Sequence, residues 1–506
     1  MKKIIKISLA LSAMALSYSC ADELLDNSGT TGESQPTQFV TASQLAFGAN
    51  TNSDIPTAFV NGMYAQMIQV GSGGSDSQAD FGQKSHDIYG DITSGDMALT
   101  ASNFRWYNRI AQLDATQNFI RGENRIIWRY YYRIIRSANT IIESLGGNDI
   151  VPEKAADKYA MGQAKAMRAH SFFYLAQYYQ KEYNAAEAIL PMPTAPGKNL
   201  PKSTAAEVYD LMEKDLTDAI SLLDGFNRTA KNQVNKDIAQ TIYAYVLGAR
   251  GTDYPKMATM SQNAINSGNH AIKPISDLTD GFNDVTDNSW MWGIDIVAEN
   301  SLGLVSWWGQ IDAFSFSYGW AGDFKAMDLS LYNKIAANDA RKGQFHGDAT
   351  SGRYLQPLRK FYWDIDAANA FAYGSGPSTG LTADYVYMRI EEAYLLNAEA
   401  NAKSGNDGAA RTSLKAVMQN RIPDASYIDA LSGQALQDEI YLQTRIELWG
   451  EGKSYLALKR NKANVNRGSN HLFLANESMM YNEEKMTFEI PQDEIQNNPF
   501  LNDQNQ

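Results

Sequence analysis

The segment that most constrains the fold of this chain is residues 162–179, GQAKAMRAHSFFYLAQYY. Small residues alternate with large ones in it, and apolar positions lie nearly all round the helical wheel. Such a helix is buried on more than one side, because small side chains let neighbouring helices approach and aromatic rings fill the gaps between them. Arg168, in the middle of the segment, needs a carboxylate or carbonyl partner if it is buried. We therefore expect a core helix in which Arg168 has a structural role.

Other segments have the period of helices and occur in pairs. Residues 126–145 precede the core helix and end at Gly146 and Gly147, so the two segments predict an antiparallel helix pair, the unit of a helical-repeat scaffold. Thr204 and Glu207 have the spacing of a capping box at the start of the next helix. The remaining predicted helices cover residues 56–70, 208–223, 235–250, 257–266, 385–405, 409–420, 436–448 and 450–460. The sequence thus predicts a mainly α fold.

A stretch at about residues 270–383 interrupts the helical pattern. Residues 277–322 are rich in Gly, Asp and aromatic residues, and two segments within them, WMWGIDIV and FSFSYGW, are typical of short strands. The aromatic residues are Trp290, Trp292, Trp307, Trp308, Phe314, Phe316, Tyr318 and Trp320. We expect a loop-rich, aromatic-containing insertion with a few short strands between the helical units.

The N-terminus has the pattern of a targeting segment. Lys2, Lys3 and Lys6 precede a short apolar run at residues 7–16, and the one cysteine of the chain, Cys20, follows a serine. This arrangement resembles the lipobox of a bacterial lipoprotein, in which the cysteine is lipidated and becomes the mature N-terminus. We therefore predict a lipoprotein signal peptide at residues 1–19 and a lipidated tether at residues 20–50. An ordinary signal peptide cut near Cys20 is the alternative.

Composition excludes one class of partner and leaves another open. The chain has 57 acidic and 44 basic residues, a formal net charge of −13, which argues against binding nucleic acid. It also has 28 Tyr, 19 Phe and 9 Trp. Tyr and Trp can stack on the C–H faces of sugars as well as fill a core, so their placement decides their role.

Two loop regions combine aromatic rings with hydrogen-bonding side chains. In the first, Trp106 and Tyr107 are adjacent in the sequence, so in an extended segment they would point to opposite faces. We therefore expect only one of them to stack on a sugar, and we favour Trp106. Asn103 and Asp96 are the hydrogen-bonding candidates there. The second region has the adjacent pair Trp307 and Trp308, and Trp320 in a turn beside glycine. The alternative is that these tryptophans fill the core beneath the loops.

Several patterns that could indicate catalysis or metal binding have simpler explanations. Six charged residues lie on apolar helices, and we expect structural ion pairs rather than an acid–base centre: Arg389, Glu392, Glu399, Arg445, Glu447 and Glu451. The sequence GPSTG at residues 376–380 lacks the strand and helix of a nucleophile elbow. The five histidines have no metal-ligand spacing, and the acidic run at residues 277–287 fails the EF-hand pattern. We expect no metal and no cofactor.

Seven segments in order along the chain carry a resemblance to a known family. They are the helix from Trp128 to Asn139, the helix from Gly162 to Leu175, TAAEVYDLMEKDLTDAISLL, LYNKIAANDARK with Asp339 and Arg341, MRIEEAYLLNAEA, TRIELWGEGKSYLALKR and FEIPQDEIQNNPFL. Behind the lipobox-like segment, they resemble the SusD/RagB family of outer-membrane nutrient-binding lipoproteins of the Bacteroidetes, over nearly the whole chain.

The resemblance implies tetratricopeptide-like helix pairs with a loop-rich binding face, which we place in one domain at residues 51–506. It implies a non-catalytic protein, anchored in the outer membrane and facing the cell exterior. Such a protein binds a glycan or peptide and delivers it to a SusC-like, TonB-dependent transporter. Two alternatives stay open. One is a surface glycoside hydrolase, which needs two carboxylates across a sugar cleft. The other is a helical scaffold that binds peptides or proteins.

Overall fold

The computed structural model describes residues 54–505 with the exception of Lys198 and Ser301. The predicted signal peptide, Cys20 and the predicted tether at residues 20–50 therefore lie outside the described residues. The described part contains seventeen α-helices and eight short strands. The mainly α fold expected from the sequence is confirmed.

Long helices alternate with short helices and short strands along the chain. The helices are α1 (Asp54–Ala65), α2 (Gln83–Thr93), α3 (Asn108–Ala111), α4 (Gly122–Ser144), α5 (Ala155–Tyr179), α6 (Ala205–Leu222), α7 (Lys236–Arg250), α8 (Tyr254–Asn266), α9 (Trp307–Ile311), α10 (Tyr318–Ala321), α11 (Leu329–Tyr332), α12 (Ile365–Asn369), α13 (Ile390–Lys403), α14 (Asp407–Met418), α15 (Gly433–Glu447), α16 (Ser454–Arg460) and α17 (Gln492–Asn497). The strands are β1 (Met97–Leu99), β2 (Ala188–Pro191), β3 (Lys202–Thr204), β4 (Trp290–Ile294), β5 (Lys325–Met327), β6 (Tyr385–Arg389), β7 (Val465–Asn466) and β8 (Ser478–Met479).

The core helix α5 is buried on every side, as its alternation of small and large residues predicts. All residues from Ala160 to its end are buried, and the helix packs between α4 and α6. At Gly162 a β-carbon would lie 2.8 Å from Cγ of Leu223, just after α6, so only glycine permits this approach. Arg168 is fully buried and bonded to Asp215 of α6 and Asn139 of α4.

The long helices form a continuous array in which each packs on the next. Helix α5 packs on α6, α6 on α7, and α7 on α8; after the insertion, α8 packs on α13, which packs on α14 and α15. The chain from the end of α8 to the start of β6 therefore leaves the array and returns to it. This is the insertion that the sequence predicts.

Local signals fix several helix ends. Glu207 N–H donates to Thr204 Oγ1 at 3.3 Å, and Thr204 N–H donates to Glu207 Oε2 at 2.8 Å, so the predicted capping box is confirmed. Gly146 and Gly147, which follow α4, both have positive φ, at 107° and 99°. These conformations suit glycine and end the helix where the sequence predicts.

Two predictions of secondary structure are wrong. Residues 385–389 were expected at the start of a helix but form β6, and the helix begins at Ile390. The apolar run YVYMR suits either structure, and pairing with β4, far away in the sequence, decides between them. The FSFSYGW segment was expected to be a strand. Instead Ser317 accepts a hydrogen bond from Trp320 N–H and caps the short helix α10.

The strands form four separate antiparallel pairs: β1 with β5, β2 with β3, β4 with β6, and β7 with β8. The pair β4–β6 ties the insertion to the start of α13. The pair β1–β5 ties the loop after β1 to the insertion, with Met97 opposite Met327 and Leu99 opposite Lys325. This second pair brings together the two regions in which the sequence predicts a binding site.

Two properties of the described residues bear on membrane and metal binding. Among the helices of residues 54–505, none is both long enough and apolar enough to cross a bilayer. In the same part of the chain, no group of three or more His, Cys, Asp or Glu side chains is arranged to hold a metal ion. In the acidic run at residues 277–287, Asp280 and Asp287 both pair with Lys273.

Candidate functional site

The loop after β1 runs beside the insertion because the β1–β5 ladder continues beyond the strands. Thr100 N–H donates to the carbonyl of Phe324 at 2.9 Å, and Phe324 N–H donates to the carbonyl of Ala101 at 2.9 Å. Further along, Asn103 N–H donates to the carbonyl of Gly322 at 3.1 Å. Backbone hydrogen bonds thus hold residues 100–103 against the segment that follows α10, and Phe104 N–H donates to the carboxylate of Asp323 at 2.8 Å.

Five aromatic side chains from the two segments gather there, and we call them the aromatic surface: Phe104, Trp106, Phe316, Tyr318 and Trp320. The ring of Tyr318 meets the edges of two others, with centroids 5.1 Å from Phe104 and 5.8 Å from Trp106. Phe316 and Trp320 lie 5.2 Å apart. Phe104, in the first of these two groups, and Phe316, in the second, are each 48% exposed, a large fraction for an apolar side chain.

Close packing fixes the ring of Trp320. A β-carbon on Gly374, which has a φ of +66°, would lie 2.2 Å from Cε2 of Trp320, so the glycine backbone lies against the indole. Arg353 donates from Nη2 to the carbonyl of Trp320 at 3.1 Å. Trp320 therefore has a defined orientation while part of its ring stays accessible.

Polar groups accompany the rings. Asn103 is exposed, and its Nδ2 donates to the carbonyl of Ala321 at 3.0 Å, which leaves Oδ1 available. The hydroxyl of Tyr318 donates to Oε1 of Gln78 at 3.0 Å. Burial raises the pKa of Tyr318 above its ordinary value, so this hydroxyl stays protonated at neutral pH. These side chains can exchange hydrogen bonds with sugar hydroxyls.

A cavity of about 650 Å³ adjoins the aromatic surface. Phe104, Arg105 and Trp106 line it together with Arg109 and Glu123. Its size suits a ligand of several sugar-sized units. Arg105 has a φ of +68°, a conformation that a non-glycine residue adopts at an energetic cost and that is frequent at functional sites.

Three of the predicted site residues are placed at this surface. Trp106 and Trp320 are partly exposed and Asn103 is exposed. Trp106 and Tyr107 face different environments as expected, since Tyr107 is 3% exposed. A ligand-binding role for Trp106, Trp320 and Asn103 stays a prediction.

Tyr107 and Asp96 are buried, which corrects the expectation that they are exposed to a ligand, although the buried Tyr107 does contribute to the lining of the cavity. The ring of Tyr107 packs edge-on against Tyr89, with centroids 5.6 Å apart. The carboxylate of Asp96 accepts from Arg445 Nε at 3.0 and 3.1 Å, and its carbonyl accepts from Trp449 Nε1 at 2.7 Å. Asp96 therefore joins β1 to the last long helices and has no accessible oxygen for a sugar.

Trp307 and Trp308 are also in the core and are excluded as platforms. Both lie in the helix α9, which Ser306 caps by accepting from Gly309 N–H at 3.0 Å. Trp308 is fully buried and donates from Nε1 to the carbonyl of Ala383 at 2.8 Å, while Trp307 packs edge-on against Phe361 at 4.7 Å. The alternative explanation, that these rings fill the core beneath the loops, is correct for this pair.

The charged residues on the apolar helices form structural ion pairs, as expected. Glu447 is buried between Arg341, Arg389 and Arg421. Its shortest ion-pair distance among the three, 2.7 Å, joins Oε2 to Nε of Arg421. Glu451 pairs with Arg389 at 2.8 Å. Burial disfavours the charged form of both glutamates, but the nearby cations favour it more strongly. The pKa of Glu451 is therefore lowered to about 2, and the pKa of Glu447 lies well below its ordinary value. The other predicted residues are paired too: Glu392 with Lys453, Glu399 with Arg460, and Arg445 with Asp96.

Sequence reasoning missed Phe104, Arg105 and Gln78. Phe104 lies two positions before Trp106, but the positive φ of Arg105 between them means that the alternation of an extended segment does not apply here. Gln78 lies in the GSGGSDSQ loop, whose position beside α10 depends on tertiary packing. The positive φ of Arg105 has no signal in the sequence.

Two family models match the chain. A SusD-like model described as starch-binding associating with outer membrane matches residues 57–246, and a model described as the SusD family matches residues 338–506. A comparison with curated protein sequences found no match.

Solved structures from Bacteroides have a similar fold. A SusD-like carbohydrate binding protein from Bacteroides vulgatus is 21% identical with a TM-score of 0.73, covering 92% of this chain and 98% of its own. A SusD superfamily protein from Bacteroides thetaiotaomicron is 21% identical with a TM-score of 0.72, covering 92% and 100%. A surface glycan-binding protein A from Bacteroides uniformis is 17% identical with a TM-score of 0.65, covering 90% and 99%. At these identities the similarity concerns the fold.

Proposed function

Because the chain belongs to the SusD family, we propose that it is a cell-surface lipoprotein that captures an oligosaccharide or polysaccharide and delivers it to a TonB-dependent transporter. Structures with this fold include surface glycan-binding proteins. In this chain the capture site is the aromatic surface with its adjoining cavity, and Trp106, Trp320 and Asn103 contact the ligand.

The observation that carries this proposal is the set of aromatic rings held at the surface by backbone contacts. Phe104 and Trp106 lie on a segment hydrogen-bonded to the insertion, and Trp320 lies against Gly374. Rings that are both exposed and fixed lose little conformational freedom on binding, so stacking with a sugar face yields more net affinity. Asn103 beside them is placed to accept from a sugar hydroxyl.

The hydrolase alternative is less well supported by the geometry. A glycosidase needs two carboxylic groups flanking the scissile bond, about 5–10 Å apart. Among the described residues that line the cavity, Glu123 is the one acidic side chain. The clustered glutamates Glu447 and Glu451 are buried in ion pairs with arginines. Binding without cleavage is therefore the function that this site supports best.

The alternative of a protein-binding helical scaffold would place the binding surface on the long helices. A helical-repeat scaffold presents the faces of its helices to a protein partner. Here the exposed rings Phe104 and Phe316 lie on connecting segments, outside the long helices. The position of the rings thus favours a small or chain-like ligand over a folded partner at this site.

A panel of polysaccharides in native affinity gels tests the proposal. We expect at least one glycan to retard the protein, and prolonged incubation with that glycan to release no shorter product by chromatography. Retardation by no glycan would contradict glycan capture, and the appearance of released sugars would favour the hydrolase. A peptide array run in parallel tests the third alternative.

Delivery to the transporter is tested separately. The family resemblance implies a SusC-like partner in the outer membrane, so a tagged protein purified from native membranes in mild detergent should bring down a TonB-dependent transporter. Recovery of the protein alone in those conditions would count against delivery while leaving glycan capture untouched.

A further inference from the structure

Arginine side chains surround the aromatic surface although the chain as a whole has a formal net charge of −13. Arg105 and Arg109 line the cavity beside Trp106. Arg353 donates to the carbonyl of Trp320 and lies over the ring of Tyr373. Arg359 lies over Phe371, whose ring centroid is 6.3 Å from that of Tyr373. Four arginines thus lie at or near the exposed rings, where the contacting carboxylates are Asp323, which accepts from Phe104 N–H, and Glu123, which pairs with Arg109.

Arg105 has no acidic partner. Its side chain is exposed, and among the described residues no carboxylate oxygen lies within 4.0 Å of its guanidinium nitrogens. Its neighbours Phe104 and Trp106 are both part of the aromatic surface. A free guanidinium beside a stacking ring can form paired hydrogen bonds with a planar anionic group on a ligand held by that ring.

Arg109 has a partner that a ligand can replace. Its Nη1 lies 3.7 Å from Oε2 of Glu123, with the two side chains 51% and 22% exposed. An ion pair at this distance and exposure stabilises little, because water screens it. An anionic group entering the cavity can therefore compete with Glu123 for Arg109 at low cost.

Arg353 and Arg359 add to the positive potential without acidic partners in the described part of the chain. The guanidinium of Arg353 lies over the rings of Phe324 at 4.8 Å and Tyr373 at 4.4 Å. That of Arg359 lies over Phe371 at 5.0 Å, and its Nη1 donates to Asn369 at 3.0 Å. Both guanidinium groups therefore contact rings and neutral oxygens, and neither is in an ion pair with a described carboxylate.

We propose that this site takes an anionic glycan, one whose sugars carry carboxylate or sulfate groups. The inference rests on the proposed function and narrows its ligand class. Stacking on the rings of the aromatic surface supplies recognition of the sugar, and Arg105 with Arg109 supplies recognition of the charge. Uronate and sulfate share this chemistry, and the experiment separates them.

Matched pairs of polymers test the inference. Polygalacturonate and its methyl-esterified form share one backbone and differ in charge, as do dextran sulfate and dextran. We would measure the affinity of the full chain for each in native gels at about 50 and about 300 mM NaCl, since salt screens exposed charges over this range. Arg105→Gln keeps a side chain of similar shape without the charge. Lys236→Gln, on α7 outside the cavity lining, is the control.

We expect the charged member of at least one pair to bind at least about fivefold more tightly than the neutral one. We also expect Arg105→Gln and added salt each to reduce that affinity about threefold, which is the scale of one exposed charge pair. Lys236→Gln should have no effect. The pair that shows the preference identifies the anionic group.

Three outcomes would overturn the inference. They are equal or tighter binding of the neutral polymers, an unchanged preference in Arg105→Gln, and binding of poly-glutamate as tight as that of the charged glycan. Binding confined to neutral glycans would contradict the preference for anionic glycans but would still support glycan capture. Binding to no glycan in the whole panel would remove the proposed function itself.

Discussion

At the scale of single residues, Arg168 illustrates how this core tolerates charge. Its Nε and Nη2 each donate to the carboxylate of Asp215 at 2.7 Å, and its Nη1 donates to Oδ1 of Asn139 at 2.8 Å. The two partners lie on the helices at either side of α5. One guanidinium therefore links three consecutive helices of the array.

Removing this guanidinium should destabilise the protein strongly. In Arg168→Ala the carboxylate of Asp215 stays buried without a cation, at a cost of about 3–5 kcal/mol. We expect a lower melting temperature and an earlier urea midpoint. Arg411→Ala, which removes a half-buried arginine that donates to one carbonyl, is the control and should cost about 1 kcal/mol. Equal stability of the two variants would show that the Arg168 network contributes no more than a single surface contact.

A buried histidine gives the stability a pH dependence. His86 is buried among tyrosines, with ring centroids 4.6 Å from Tyr130 and 5.2 Å from Tyr131. Its two ring nitrogens have no hydrogen-bond partner among the described residues. Burial lowers the pKa of His86 from 6.5 to about 3. The unfolded chain therefore takes up a proton as the pH falls below 6.5, whereas the folded protein does not.

The stability that the protein gains by keeping His86 neutral is fully present above about pH 6.5. It is lost as the pH falls toward 3, because the unfolded chain is then favoured by protonation. In His86→Phe, which keeps the ring and cannot be protonated, the loss of unfolding free energy between about pH 7 and pH 5 should be smaller by about 2 kcal/mol. Urea titrations of both proteins at the two pH values measure it. An identical pH dependence in the variant would mean that His86 is protonated, or reached by water, in the folded state.

At the scale of elements, the β1–β5 pair builds the candidate site. It places Phe104 and Trp106 against Tyr318, and the second half of the insertion, around Gly374, packs against Trp320. The site is therefore assembled from three segments that are distant in sequence. Each can be disturbed separately.

Gly374→Ala should disturb the packing of the Trp320 indole against the backbone of residue 374. The added β-carbon would lie 2.2 Å from the indole, so the ring must move, and the residue must keep a φ of +66°. Gly380 is a matched control, since it has a φ of +70° and no atom within 4 Å of an added β-carbon. We expect Gly380→Ala to cost only the backbone strain, about 1 kcal/mol, and Gly374→Ala to cost more and to change the near-ultraviolet circular dichroism of tryptophan. Matching spectra and stabilities in the two variants would show that Trp320 does not rest on Gly374.

The sequence predicted those elements whose signals are local. The capping box at Thr204 and the glycine stop after α4 depend on neighbouring residues and are confirmed. The predicted start of α13 was wrong because the run at residues 385–389 suits either a helix or a strand. Pairing with β4 makes it a strand. Trp308 was assigned to a surface loop because the carbonyl of Ala383, which binds its indole, is far away in the sequence.

At the scale of the whole molecule, a helical array supports an insertion that carries the candidate site. Arg168 required a buried partner, and the sequence predicted that requirement correctly. The aromatic surface was predicted only in part: Trp106 and Trp320 were named, but which rings stay exposed depends on packing between the loop after β1 and the insertion. Burial of this kind is a property of the assembled fold.

Attachment to the membrane is predicted to depend on Cys20. If its thiol carries the lipid, Cys20→Ala removes the anchor and the protein should move from the membrane fraction to the soluble fraction. The parent chain fractionated in parallel is the control, and metabolic labelling with a fatty acid should mark the parent alone. A variant that stays in the membrane fraction would place the anchor elsewhere.

A calorimetric comparison of two variants tests most directly whether the aromatic surface binds the glycan. Trp106→Ala removes a ring from the surface, while Phe500→Ala removes an aromatic residue that is 56% exposed near the C-terminus. With the glycan that retards the parent chain, and with folding checked by circular dichroism, we expect Trp106→Ala to weaken binding about tenfold, or about 1.4 kcal/mol. Phe500→Ala should bind as the parent does. Parental affinity in Trp106→Ala would contradict glycan binding at the aromatic surface and place the ligand elsewhere.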